Sequence, residues 1–278
     1  MNSLGPDVHV FDISSPASPS FVRTITSPSG SAVHDVTALN GRLYTSVVGG
    51  VGSTDIFDVS NVAVTAPLLG SFDSGGSTHA NWPTADGNFL AVAREIAGGD
   101  VKIWNISDPA SVTLAATLDP TALGIDAFSA HNPVIAGNLL YVSWYQAGVQ
   151  VFDITDPNNP TLLGSFDTFP GPVSGFSGNW GVYPFLGSNR VLASDTQTGL
   201  YVLSVQTGGL KADAAAIGAA GENASAQLWQ TVEVMPTAKP GALSFINPSR
   251  FGSFTLDADS LQTTLVTKPL PSCLWAAN

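Results

Sequence analysis

Three of the four histidines in this chain recur at one position of a spacing pattern. His34, His79 and His131 each stand a little over twenty residues before an aromatic, Phe57, Trp104 and Phe152 respectively. Neutral imidazoles that converge from successive structural units are the donor set of a zinc, copper or iron site with an open position for water or substrate. The spacing puts Asn179 at the same position in a fourth unit. Asp35 is a candidate carboxylate ligand, a candidate base, or a partner that holds a histidine tautomer. Glu95 is a candidate general base or ligand, and its neighbour Arg94 a candidate clamp for a substrate carboxylate. Trp144, Tyr145, Trp180 and Tyr183 offer rings for stacking on a sugar or aromatic ligand, with Asn179 and Asp195 as polar contacts. A plainer reading stands beside each. The histidines fill a polar slot and bond to backbone, Arg94 and Glu95 form a surface ion pair worth little, and Trp180 packs between units. His9 falls in a different column, filled elsewhere by Asp55, Lys102, Gln150 and Tyr201, and that whole column is expected to face solvent.

The elements that must position these residues show as an internal repeat. Val8-His9-Val10-Phe11-Asp12-Ile13, Thr54-Asp55-Ile56-Phe57-Asp58-Val59, Val101-Lys102-Ile103-Trp104-Asn105-Ile106 and Val149-Gln150-Val151-Phe152-Asp153-Ile154 align, with a weaker copy at Leu200-Tyr201-Val202-Leu203-Ser204-Val205. The period is about 47 residues. Each copy is apolar and β-branched, as strands are. Pro-containing turns follow three of them, and Pro stops a strand by fixing φ and removing a donor. Two further strands precede each copy and one follows, so one repeat is four short antiparallel strands. Such units in series predict an all-β fold, a β-propeller of four-stranded antiparallel blades.

Residues 8–26 supply the last two strands of a blade, full blades follow at about 31–74, 77–119 and 129–168, and another begins near 178. The count predicts five blades, with six as the alternative. The ring is expected to close by pairing N- and C-terminal strands, so that residues 1–278 form a single domain. Register is lost after 206. There, residues 210–216 read as a loop or short helix, and 227–234, 242–246, 253–256 and 263–266 as strands. In a propeller the first strand of each blade lines the axis. The three histidines then ring one mouth of the channel. The ends of the second strands, at Arg94-Glu95, Trp144-Tyr145 and Asp195, and the long loops 119–130 and 168–178 share that mouth.

Several segments together resemble the LVIVD-repeat family, also called choice-of-anchor B proteins. They are Val149-Gln150-Val151-Phe152-Asp153-Ile154-Thr155-Asp156-Pro157, His79-Ala80-Asn81-Trp82-Pro83, Ala130-His131-Asn132-Pro133, Ser143-Trp144-Tyr145-Gln146-Ala147-Gly148 and Asn179-Trp180-Gly181-Val182-Tyr183-Pro184. The resemblance covers about residues 7–206. It implies an exported bacterial β-propeller in an extracellular, periplasmic or cell-surface setting, and no single activity.

Composition narrows the rest. Nine basic against 21 acidic residues, a net charge of −12, leave no patch to neutralise phosphates, so nucleic acid is excluded as a partner. One Cys, Cys273, gives neither a disulfide framework nor a cysteine-based zinc site. No apolar run reaches the ~18 residues of a membrane helix. The first seven residues lack the basic end and apolar core of a leader peptide. These observations predict a monomeric binding or scaffold module that holds a small molecule, glycan or protein ligand at the histidine mouth. The alternatives are a metal-dependent hydrolase, lyase or oxidase with one divalent zinc, copper or iron ion on His34, His79 and His131, and a purely structural surface repeat.

Overall fold

The computed structural model describes residues 5–186, 190–205 and 229–234. Within them the chain folds as consecutive antiparallel sheets in sequence order. A two-stranded sheet comes first, β1 (Asp7–Asp12) and β2 (Ser20–Thr26). Four four-stranded sheets follow. They are β3 (Val33–Leu39), β4 (Arg42–Val47), β5 (Ser53–Asp58) and β6 (Leu68–Asp73), then β7 (Thr78–Pro83), β8 (Phe89–Arg94), β9 (Val101–Asn105) and β10 (Thr113–Leu118). The third holds β11 (Pro133–Ala136), β12 (Leu139–Ser143), β13 (Val149–Asp153) and β14 (Thr161–Phe166). The fourth holds β15 (Asn179–Tyr183), β16 (Arg190–Asp195), β17 (Gly199–Val205) and β18 (Trp229–Val234). These sheets fall where the repeat arithmetic puts the blades.

The apolar side chains form layers between sheets. Val8, Val10 and Ile25 of the first sheet meet Leu43 and Phe57 of the second. Tyr44 and Ile56 meet Leu90 and Val92, Val101 and Ile103 meet Leu140 and Phe152, and Tyr141 and Val151 meet Val191 and Leu203. Each fully buried side chain of this size contributes about 1.5–3 kcal/mol. Polar ties cross the same seams: Thr37 donates to the Asn81 carbonyl (2.7 Å), and the Asn81 amide donates to Ser46 Oγ (2.7 Å). The glycine of the Leu-Leu-Gly-Ser segment within the outer strand has a steric cause at Gly70. A Cβ there would lie 1.9 Å from the Pro109 carbonyl oxygen of the next sheet.

The innermost strands carry a shared irregularity. The β3–β4 register shifts between Val33 and Asp35, β7–β8 between Thr78 and Ala80, and β15–β16 between Asn179 and Gly181. The extra residue at each β-bulge is His34, His79 and Trp180. A bulge re-aims the side chain it carries and is enriched beside functional sites. His131 holds the same place ahead of β11, where its N–H donates to the Ser143 carbonyl (2.9 Å).

Several expectations change. The fourth-unit counterpart of the histidines is Trp180, not Asn179: the bulge falls between Asn179 and Gly181, and the spacing to the aromatic varies too much between units to fix the column to one residue. Asp55 and Gln150 are buried rather than solvent-facing, while His9 is exposed and bonds Thr24 Oγ1 at 3.0 Å. Three hydroxyls, of Ser27, Thr45 and Ser71, donate to the Asp55 carboxylate and make its burial tolerable. A one-turn helix, α1 (Pro120–Leu123), is capped by Asp119 in a stretch read as loop. The strand expected at 227–234 is the outer strand of the fourth full sheet. The readings at 210–216, 242–246, 253–256 and 263–266 lie outside the described residues.

Candidate metal centre

Three bulges and the residue ahead of β11 turn four rings toward one another in a row. The ring centroids of His34 and His79 are 4.2 Å apart, those of His79 and His131 4.2 Å, and those of His131 and Trp180 4.1 Å. Each ring comes from a different sheet. Backbone carbonyls of the next sheet hold two of the imidazoles. His79 Nδ1 lies 3.3 Å from the His131 oxygen, and His131 Nδ1 lies 2.5 Å from the Trp180 oxygen. A carbonyl only accepts, so both Nδ1 atoms carry the proton and both Nε2 atoms present a lone pair.

Those lone pairs face one carboxylate. His79 Nε2 is 3.5 Å from Glu95 Oε2, and His131 Nε2 is 3.8 Å from Glu95 Oε1. His131 Nε2 is buried with no hydrogen-bond partner among the described residues. One ligand atom from each of His79, Glu95 and His131 lies within 4.8 Å of the other two. Ligands about 2.1 Å from a shared tetrahedral ion sit about 3.4 Å apart. The donor set therefore fits a divalent transition metal in chemistry and near fit in spacing.

Electrostatics agree with that fit. Burial, reinforced by the neighbouring imidazoles, pushes His79 down to about 2. Burial takes His131 down to about 4 against the pull of the Trp180 carbonyl. Both are neutral at pH 7 and available as ligands. Burial raises the Glu95 carboxyl, and the hydroxyl of Tyr145, which donates to Glu95 Oε1, opposes that rise.

The other residues singled out by sequence occupy different places. His34 stacks on His79 but lies outside the three-residue group; burial lowers its pKa while the His79 carbonyl raises it. Asp35 is also outside the group. Its carboxylate accepts from the Val36 N–H (2.7 Å), and burial pushes it up to about 6. Arg94 pairs with Asp100 (Nε–Oδ1 2.5 Å) rather than with Glu95. Trp144 is fully buried in the core between the second and third four-stranded sheets, which leaves no face for a ligand. Asp195 accepts from Thr168 Oγ1 (2.7 Å) and from the N–H groups of Gln197 and Thr198, so it ties a loop to a turn. Asn179 is buried beside it, 3.5 Å from Thr168 Oγ1. Trp180 is half-buried, and Tyr183 is exposed.

Residues that sequence reasoning did not name complete the mouth. Phe176, half-exposed, meets Phe128 edge-on at 5.0 Å and Tyr145 at 5.5 Å. Gln146 pins both long loops: its side-chain carbonyl accepts from the Phe128 N–H (2.9 Å), and its amide donates to the Ser174 (3.2 Å) and Gly175 (2.8 Å) carbonyls. The length of loops 119–130 and 168–178 was the available signal; nothing in their composition marked these particular side chains.

No curated protein matches the sequence. Among solved structures, the periplasmic gluconolactonase of Pseudomonas aeruginosa superimposes with a TM-score of 0.56 at 14% identity, over 72% of this chain and 60% of that one. A Lactobacillus plantarum protein gives 0.57 at 15%, over 72% and 61%. A putative 6-phosphogluconolactonase of Bacteroides fragilis gives 0.54 at 15%, over 74% and 65%. The chain thus spans less than two thirds of the length of these structures, and the likeness is one of fold, a β-propeller built of repeated four-stranded sheets. Residues 129–168 match the LVIVD repeat, a segment that spans the third four-stranded sheet with His131 and Tyr145.

Proposed function

We propose that this propeller holds one divalent transition metal on His79, His131 and Glu95 and uses it to hydrolyse a small ring-bearing substrate. One observation carries the reading: two tautomer-locked Nε2 lone pairs face one half-buried carboxylate, which when ionised offers neither of them a proton. When bound, such a metal polarises a carbonyl and lowers the pKa of a water ligand. The chain's own residues do the rest. Carbonyls of His131 and Trp180 fix the two imidazoles. Tyr145 holds Glu95. Trp180 and Phe176 offer rings against which a sugar-like or lactone ring stacks. The gluconolactonase names of two structural neighbours agree with a lactone or ester as substrate. Metal analysis of untagged protein, with a lactone and ester panel run before and after chelation, tests the reading. It expects one metal per chain, chelator-sensitive hydrolysis, and loss of both in His79→Ala. Substoichiometric metal that His79→Ala leaves unchanged overturns it.

A second reading is a non-catalytic ligand-binding module at the same mouth, favoured by the half-exposed Phe176 on loops already pinned by Gln146. Bound metal without turnover of any ester would select it. The wider setting belongs to the same proposal. Among the described residues β1 pairs with β2 alone, and its other edge is where a monomeric ring of five blades, or six, would close. The protein is exported, in line with the family resemblance and the periplasmic neighbour. Among the described residues no helix is long and apolar enough to cross a membrane.

A further inference from the structure

Tyr145 lies fifty positions along the chain from Glu95 and belongs to the next sheet, yet its hydroxyl donates to Glu95 Oε1. It reaches that oxygen from an unusual backbone. Tyr145 has φ 28°, one of three non-glycine residues with positive φ among the described residues. For an aromatic residue this conformation costs on the order of 1–3 kcal/mol and persists only where the surroundings enforce it. The enforcement is visible. The Tyr145 carbonyl accepts from the N–H groups of Gly148 (3.1 Å) and Asn179 (2.8 Å). Gly178 packs so closely that a Cβ there would lie 2.4 Å from the Tyr145 oxygen. The ring is fully buried and held edge-on by His131 at 5.2 Å and Trp180 at 6.0 Å. Two sheets therefore fix one phenol against one carboxylate, although nothing in strand packing needs a hydroxyl at that point.

We infer that Tyr145 is a positioning residue for the metal centre: its hydroxyl occupies one side of Glu95 Oε1 and aims the carboxylate at the His79 and His131 Nε2 atoms. This rests on the metal reading above. A carboxylate on a free side chain samples several rotamers and loses that freedom when it ligates. Tyr145 removes the freedom in advance, and partners of this kind typically change metal affinity 10–100-fold.

The test is a double-mutant cycle read by titration of the metal-free full chain with Co²⁺ and Zn²⁺. Tyr145→Phe keeps the ring, its contacts and its volume. It is expected to weaken Co²⁺ binding at least about tenfold, to leave the saturating stoichiometry unchanged, and to alter the d–d absorption of the Co²⁺ form. Glu95→Ala weakens binding further. In the Glu95→Ala background, Tyr145→Phe is expected to have no additional effect, because it acts through that carboxylate. The thermal midpoint of each metal-free variant is measured in parallel. Equal Co²⁺ affinity in wild type and Tyr145→Phe overturns the inference. So does a loss that persists undiminished without Glu95, since that is a structural effect. If the wild type binds no metal, the underlying metal reading fails instead, and the two failures are distinct.

Discussion

The two ends of the blades repeat equally well but use repetition differently. At the end away from the histidines, β1, β5, β9 and β13 close with the same device. Asp12 and Asp58 accept from the N–H groups of Ser14 and Ser60, Asn105 from Ser107, and Asp153 from Thr155. Every copy is exposed and satisfied within its own turn. At the histidine end the repeated position is His34, His79, His131 and Trp180. There the surroundings differ from blade to blade: Asp35 beside the first, Glu95 facing the second and third, Tyr145 beside the third and fourth. The turns are repeated because the chain must reverse at the same place each time. The mouth repeats an imidazole in three of four units, and its chemistry comes from setting two of those repeated rings against groups that are not repeated. It also collects what folding alone would avoid, a half-buried carboxylate, a buried imidazole nitrogen without a hydrogen-bond partner among the described residues and a tyrosine at positive φ.

The largest effect on stability belongs to neither end. Trp144 was a candidate ligand platform by its place at the end of β12, and its burial makes it a core residue. Trp144→Ala is expected to cost about 3–5 kcal/mol, measured by denaturant unfolding. A cost under ~1 kcal/mol would return Trp144 to the mouth. The largest functional effect falls on the ligands. His79→Ala is expected to weaken Zn²⁺ binding by more than the ~10–100-fold of a supporting residue, with little change in the unfolding midpoint of the metal-free protein. Calorimetric titration checks it. Destabilisation without loss of metal would make the histidine row ordinary inter-blade packing.

Much of the fold was legible in the sequence because period and alternation are local signals. The positions of Phe57, Trp104 and Phe152 set the sheets to within a few residues. The histidine column was legible for the same reason, since a bulge that recurs leaves spacing intact. What spacing could not show was the partner of each group. Arg94 and Glu95 are adjacent in sequence but point to different partners, Asp100 and the histidines, because strand geometry sends neighbours to opposite faces. Trp180 takes the place expected of Asn179 because the interval from this position to the aromatic varies by a few residues among the histidine units, too loosely to separate neighbours. Asp55 and Gln150 looked surface-bound by type, but the hydroxyls that make Asp55 tolerable come from Ser27, Thr45 and Ser71, which sequence does not bring together.

A subtler test of the mouth is Asp35, whose carboxyl is pushed up to about 6 by burial from an ordinary value of 3.8. Above pH 6 the fold must hold a carboxylate that the unfolded chain ionises more easily, so the group is destabilising there. As pH falls from 6 toward 4, only the folded state takes up the proton, and the penalty disappears. Asp35→Asn keeps an acceptor for the Val36 N–H and removes the charge. It is expected to stabilise the protein by about 2 kcal/mol at pH 8, with the gain vanishing near pH 4. A gain independent of pH would show that burial of the charge is not its cause.

The smallest effect is expected at the far end, where one copy of the repeated turn can be broken alone. Asn105 accepts from both the N–H (3.1 Å) and the hydroxyl (2.7 Å) of Ser107. Both donors are exposed, so water replaces the lost acceptor in Asn105→Ala, and only the net worth of a solvated hydrogen bond is removed. The unfolding midpoint should fall by no more than a few degrees, and metal affinity should not move at all. This variant is the counterpart of Tyr145→Phe: it removes two hydrogen bonds inside a single turn, whereas Tyr145→Phe removes one between sheets. If both changed stability alike and neither changed Co²⁺ binding, the two ends would be equivalent scaffolding. A loss of metal affinity confined to Tyr145→Phe would locate the chemistry in the part of the mouth that the repeat does not copy.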